Sequence, residues 1–259
     1  MKQVGLRTLK EREIWQVESG WVGTGDLGIS IDGRYAAVVE MRAADRVSDA
    51  AQQFERKPLC RIRVVETFKG NSWIAVEEKA WLARPQIRPK RDQILYCHEG
   101  PEERLAARLW LVNLDGKQKQ SVRPRQGEEE LGPEYWTGDG KLIGYAHYPD
   151  HAVRKATVRT FNPDTREEQV LSPCTQFWHL RGNADNSAIA GASRSKAGPN
   201  VYVLFPLIQR EITVCEHTST ALAPRLAFSP DSQWIYFSSD RGGVAAVYRA
   251  AVGDLVEKT

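Results

Sequence analysis

His98, Glu99 and Arg108 stand close together in LYCHEGPEERLAARLW, residues 95–110. An imidazole moves protons near neutral pH, a carboxylate orients a cation, and a guanidinium grips a carboxylate through two parallel N–H donors. An apolar strand runs into Cys97 and His98, Gly100 and Pro101 stop it, and the chain re-enters a strand at Arg108. Hairpin pairing sets a strand-end residue beside a returning-strand residue, so His98 and Arg108 are expected as neighbours. Read as turn chemistry alone, the same stretch makes His98 a hydrogen-bonded rim residue and Arg108 a strand charge facing solvent or pairing with Glu99.

Other groups carry less. His179 follows Phe177 and Trp178, and a lone imidazole reads as a satisfied core or loop residue before it reads as a ligand. His147 and His151 flank Pro149 in HYPDH, which argues against one helical face and a metal pair. Cys60, Cys97, Cys174 and Cys215 form no Cys-x-x-Cys pair, so a structural zinc site is not expected, and reduced thiols in the cytoplasm are. The basic clusters at 88–91 (RPKR) and 123–125 (RPR) are short, contain Pro and are answered by Glu128, Glu129 and Glu130. With a net charge of +3 they read as solvated loops, and no nucleic-acid partner is expected. The charged first residues hold no secretory signal, and no run is apolar enough for a membrane helix, so no membrane partner is expected either.

The elements that must hold these groups are short strands. Five segments repeat an apolar alternating lead-in, a tight polar turn and a second alternating strand, with turns at Asp32, Lys90, Asp139, Asp185 and Asp231. The turn spacings are 58, 49, 46 and 46 residues. Repeats of roughly 40 to 50 residues made of short strands point to propeller blades. Between them lie second hairpins, RIRVVETFKGNSWIAVEE, RLWLVNLDGKQKQSV, TVRTFNPDTREEQVL and NVYVLFPLIQREITV, which complete four antiparallel strands per blade. Residues 43–58 break the rhythm with helix formers and are expected as a helical insertion. The 259 residues thus predict an all-β β-propeller of about five blade units forming a single domain over 1–259. An open arc of blades would expose strand edges and self-associate.

SPD at 229–231 followed by WIYFSSDRGG is generic propeller grammar. CHEGP at 97–101 with RLWLVNLDG at 108–116, GPEYWTGDGK and SPCTQFWHLRGNADNS is narrower, and resembles the oligogalacturonate lyases from about residue 12 onward. That resemblance implies a seven-bladed propeller that cleaves short pectin fragments with bound manganese, here lacking about two N-terminal blades. The implied chemistry is β-elimination: cations neutralise the C6 carboxylate, a nearby group takes the C5 proton, and the C4 oxygen leaves.

Carried over by residue, the resemblance places His98, Glu99 and Arg108 near the chemistry and His179 as one metal ligand. Where the family has a site histidine this chain has Pro133, and its Gln-x-x-His-Pro-His run stands here as Thr220, Ala221, Leu222, Ala223, Pro224 and Arg225. Ala223 donates nothing and Arg225 is a permanent cation, so the expectation is an incomplete manganese site, no cofactor, and little or no elimination. Glu99 and Arg225 are then expected as substrate-binding residues, Arg225 on the carboxylate, with Arg108 and His98 as catalytic candidates and a uronate oligosaccharide as partner. The alternative is a non-catalytic propeller that binds a sugar acid or a protein.

Overall fold

The computed structural model describes every residue except 6, 150–155, 220–222 and 258–259, together with all side chains of the described residues but those of 102 and 257. The chain divides into two compact units, Met1–Gln126 and Gly127–Thr259.

The first unit opens with a hairpin of β1 (Lys2–Val4) and β2 (Glu11–Glu13). Two four-stranded antiparallel sheets follow. One is β3 (Trp21–Ile29), β4 (Tyr35–Arg42), β5 (Leu59–Glu66) and β6 (Ser72–Lys79). The other is β7 (Leu82–Ile87), β8 (Gln93–His98), β9 (Leu109–Asn113) and β10 (Gln120–Ser121). A 3-10 turn at Ala43–Asp45 and the helix α1 (Ala50–Glu55), capped by Asp49 through a 2.8 Å bond from the Gln52 N–H, lie between β4 and β5.

The second unit repeats the plan. Its sheets are β11 (Glu130–Trp136), β12 (Ile143–Tyr148), β13 (Ala156–Phe161), β14 (Glu168–Cys174), then β15 (Phe177–Gly182), β16 (Ile189–Ser193), β17 (Asn200–Phe205), β18 (Arg210–Glu216). A three-stranded sheet of β19 (Leu226–Phe228), β20 (Trp234–Ser239) and β21 (Ala246–Ala251) follows, and α2 (Gly253–Glu257) ends the described chain. Strands meet their sequence neighbours in order in every sheet, the up-and-down meander of a propeller blade. The blade repeat predicted from turn spacing is therefore present.

Local chemistry explains the turns. Asp32, Asp139, Asp185 and Asp231 each accept the backbone N–H two residues ahead and a hydroxyl beside it, closing the polar turn between the first two strands of four blades. Alternation then fills the space between sheets. Ala37, Val39 and Met41 with Cys60, Ile62 and Val64 pack on Ile94, Tyr96 and Val112 of the next sheet. In the second unit Tyr135, Ala146 and Val158 meet Phe177, Leu180 and Ile189, while Ala190 and Val203 meet Ile235 and Phe237. Each large side chain so buried contributes roughly 1.5–3 kcal/mol. At Gly28 an added Cβ would lie 2.1 Å from the Pro85 carbonyl oxygen, so β3 and β7 approach as backbone on backbone. That contact fixes where the strand carrying Arg84 sits.

Candidate functional site

The stretch that raised the chemistry is built by β8, β9 and α1 of the first unit. The backbone N–H of His98 donates to the Arg108 carbonyl at 2.9 Å, continuing the register that pairs Tyr96 with Trp110. His98 and Arg108 are cross-strand neighbours at the end of the sheet. Gly100 adopts φ +143°, and the Phe54 ring of α1 occupies the place where a Cβ would be, 2.2 Å away. Only glycine fits there. Arg104 lies over the same ring at 4.7 Å and pairs with Glu55, so the helical insertion holds the link between the strands.

His98 is oriented by a partner from the neighbouring sheet. Its Nε2 lies 3.0 Å from Oε1 of Glu78 on β6, and its ring stacks on Trp110 with centroids 5.0 Å apart. Glu78 also accepts from Tyr96 at 3.3 Å and from Lys119. Burial alone would raise the Glu78 carboxyl, but hydrogen bonds from His98 and Lys119, with their charges, hold it down at about 2. An ionised carboxylate only accepts, so the proton of a neutral His98 sits on Nε2 and Nδ1 is the ring's acceptor.

The depressed carboxyl gives a testable pH dependence. A folded value of about 2 against 4.5 means that the native state favours ionised Glu78, so its stabilisation is complete above pH 4.5 and is lost as pH falls from 4.5 through about 2. Glu78→Gln should cost about 2 kcal/mol at pH 7, and its deficit against wild type should close over that window in urea unfolding series. A deficit that stays constant with pH would contradict this assignment.

Arg108 is 7% exposed and its guanidinium lies 3.6 Å from Oε1 of Glu99. The Nε of Arg84 lies 3.1 Å from the same oxygen. One carboxylate oxygen therefore lies within ion-pair distance of two guanidiniums. Arg84 escaped the sequence reading. It sits at a bulge between Ala83 and Gln86, at φ +53° directly before Pro85, a conformation disfavoured for a non-glycine residue and again for one that precedes proline. A bulge re-aims a side chain, and such strain collects at functional sites. The visible signal was Arg-Pro inside an otherwise regular strand.

In the second unit His179 follows a bulge in β15, and its Nδ1 accepts the Leu226 N–H at 3.1 Å. The neutral ring then carries its proton on Nε2, whereas a metal-bound imidazole donates its second nitrogen to an acceptor. Arg225 is exposed and its backbone N–H donates to Ser238 Oγ at 2.9 Å. Half-buried Arg181 on β15 has its guanidinium lowered, first by desolvation, with Arg225 adding to the effect and Glu134 and Tyr135 opposing it. Pro133 occupies the bulge of β11 between Leu131 and Glu134. Residues 220–222 and His151 lie outside the described residues. His147 pairs with Glu129 at 2.9 Å, both buried.

Two expectations from charge are corrected by burial. Arg88 and Arg123 are 4% and 5% exposed, not solvated. Arg88 is held by the Gln93 side chain at 3.0 Å and Arg123 donates to the Pro124 carbonyl at 3.3 Å. No helix among the described residues is long and apolar enough to cross a membrane.

Comparison with known proteins gives this geometry its family. The family model described as oligogalacturonate lyase matches residues 1–202. The chain belongs to the oligogalacturonate lyase family. The oligogalacturonide lyase of Pectobacterium atrosepticum is 27% identical over 287 aligned residues, covering 99% of this chain and 73% of the relative. The oligogalacturonate lyase of Dickeya dadantii is 26% identical with the same coverage. A solved oligogalacturonate lyase in complex with manganese superposes with a TM-score of 0.89 at 29% identity, covering 99% of this chain and 72% of that one. One from Vibrio parahaemolyticus gives 0.87 at 26%, over 98% and 72%. The propeller fold and a link to pectin catabolism follow from membership.

The manganese complex overturns the expectation that no cofactor is involved: the family uses manganese. Among the described residues no group of three or more His, Cys, Asp or Glu is placed to hold a metal, and His179 with Nδ1 accepting does not fit a ligand in this arrangement.

Proposed function

We propose that this protein recognises galacturonate oligomers by their carboxylates, through Arg108 and Arg84 oriented by Glu99, and that its β-elimination is weak. The observation that carries the reading is the shared Glu99 carboxylate, 3.1 Å from Arg84 and 3.6 Å from Arg108. Glu99 gathers two guanidiniums at one strand end, and their planar forks suit a sugar carboxylate geometrically. Exposed Arg225 is proposed as a further uronate contact in the second unit. The four cysteines form no disulfide, which supports a reducing, cytoplasmic setting within the same proposal.

Elimination needs a base that takes the C5 proton while that electron pair forms the C4–C5 double bond and the C4–O bond breaks. The resemblance implies an imidazole where this chain has Pro133, and a positioned proton acceptor contributes about 10²- to 10⁴-fold. Turnover is therefore expected to be at least about 100-fold below that of the Dickeya dadantii relative assayed alongside. The assay follows the ultraviolet absorbance of the unsaturated uronate on trigalacturonate, with manganese supplied because the family uses it. Turnover equal to the relative's would refute weak elimination.

A second reading has its own observation. Glu78 holds the His98 proton on Nε2, which leaves Nδ1 as a proton acceptor beside Arg108. If His98 is the base, His98→Asn abolishes the residual turnover while binding persists. Residual turnover unchanged by that substitution removes this reading.

A further inference from the structure

A second cluster in the first unit has the form of an anion site with its occupant built in. On β5, Arg61 and Arg63 are 4% and 5% exposed. Their Nε atoms both donate to Oε2 of Glu40 on β4, at 2.5 and 3.1 Å. Glu40 is wholly buried, and its Oε1 accepts no hydrogen bond among the described residues. The Trp21 ring lies 3.8 Å from the Arg61 guanidinium carbon and the Trp15 ring 5.4 Å from that of Arg63, which holds both planar forks in place. The outer nitrogens of the two forks bind a single carboxylate, one oxygen each. Arg61 donates to Oε2 of Glu18 at 2.9 Å and Arg63 to Oε1 at 2.6 Å.

Glu18 differs from its partners in being 56% exposed in its side chain. It lies on a turn where the Trp21 N–H bonds the Glu18 carbonyl at 3.2 Å and the Ala43 N–H bonds the Gly20 carbonyl at 2.9 Å. Rotation of one half-exposed side chain would uncover the forks with that backbone intact. What remains is two guanidiniums against one carboxylate, a net positive charge, with a buried oxygen of Glu40 still able to accept from a hydroxyl.

We propose that this cradle is a second carboxylate-binding site for uronic acids, in which Glu18 occupies the place of the ligand carboxylate and competes with it. A uronate brings both groups that the cradle lacks once Glu18 leaves: a carboxylate to bridge the forks and ring hydroxyls to donate. The choice of uronate over other carboxylates rests on the proposed function. A tethered competitor acts at an effective concentration on the order of millimolar, so removing it should strengthen binding about tenfold or more.

The test uses Arg108→Ala as background, which separates the two sites. Digalacturonate is titrated calorimetrically into Arg108→Ala and into Arg108→Ala with Glu18→Ala or Glu18→Gln, and thermal melts confirm that each variant is folded. The cradle predicts a one-to-one binding event at least about tenfold tighter when Glu18 is changed, absent with neutral galactobiose and weaker with glutarate. Equal weak binding with and without Glu18, in folded proteins, would overturn the proposal and leave Glu18 as an anchor of its own turn. Equal response to glutarate and digalacturonate would overturn the choice of a sugar acid. The reading of Arg108 fails separately, as unchanged affinity in Arg108→Ala with Glu18 intact.

Discussion

Arg108→Ala is expected to weaken binding of trigalacturonate by about one to two orders of magnitude, because a charge-assisted contact to a carboxylate is worth roughly 1.5–3 kcal/mol. Removing the guanidinium does more than delete one contact. It also takes one of the two guanidiniums away from the Glu99 carboxylate at the tip of β8 and β9. Arg108→Lys should recover only part of the affinity, since an ammonium keeps the charge but cannot form two parallel bonds in one plane. Titration calorimetry reads both variants, and a Lys variant equal to wild type would show that charge alone is recognised. Full affinity in the alanine variant would return His98, Glu99 and Arg108 to ordinary turn chemistry.

Glu40→Gln is expected to destabilise the first unit by about 3–5 kcal/mol, the cost of breaking a buried ion pair by removing one partner. Two guanidiniums that are almost fully buried would then share only the half-exposed Glu18 carboxylate. Glu18→Gln, by contrast, removes a solvent-screened partner at the surface and should cost far less. Denaturant unfolding compares the two directly. Losses of equal size would mean that Glu40 does not anchor the pair of arginines, and the cradle would lose its structural basis.

Much of the fold was legible because its rules are local. Alternation sets the faces of strands such as β20, where Ile235 and Phe237 turn inward, and Asp at the turns captures the N–H two residues ahead. The blade repeat needed nothing from elsewhere in the chain. The candidate site was legible only where its members share a hairpin, as His98 and Arg108 do. Glu78 reaches His98 from another sheet, Arg84 is aimed by a bulge, and Arg61 and Arg63 meet Glu18 across the fold. None of these follows from spacing. Arg88 and Arg123 misled for the reverse reason, since a cluster of basic letters does not say which members the sheets will bury. The cofactor expectation erred by reading ligand loss as loss of the metal, which the manganese-bound relative corrects at the level of the family.

Recognition of the sugar carboxylate is the claim on which the rest depends, and one paired titration reaches it most directly. Wild-type protein is titrated with trigalacturonate and, separately, with the neutral galactose trimer, at low and at moderate salt. The account predicts a saturable heat with the acid alone, of lower affinity at higher salt because exposed ends of the ion pairs are screened. Equal binding of the neutral trimer, or no binding of the acid, would contradict it.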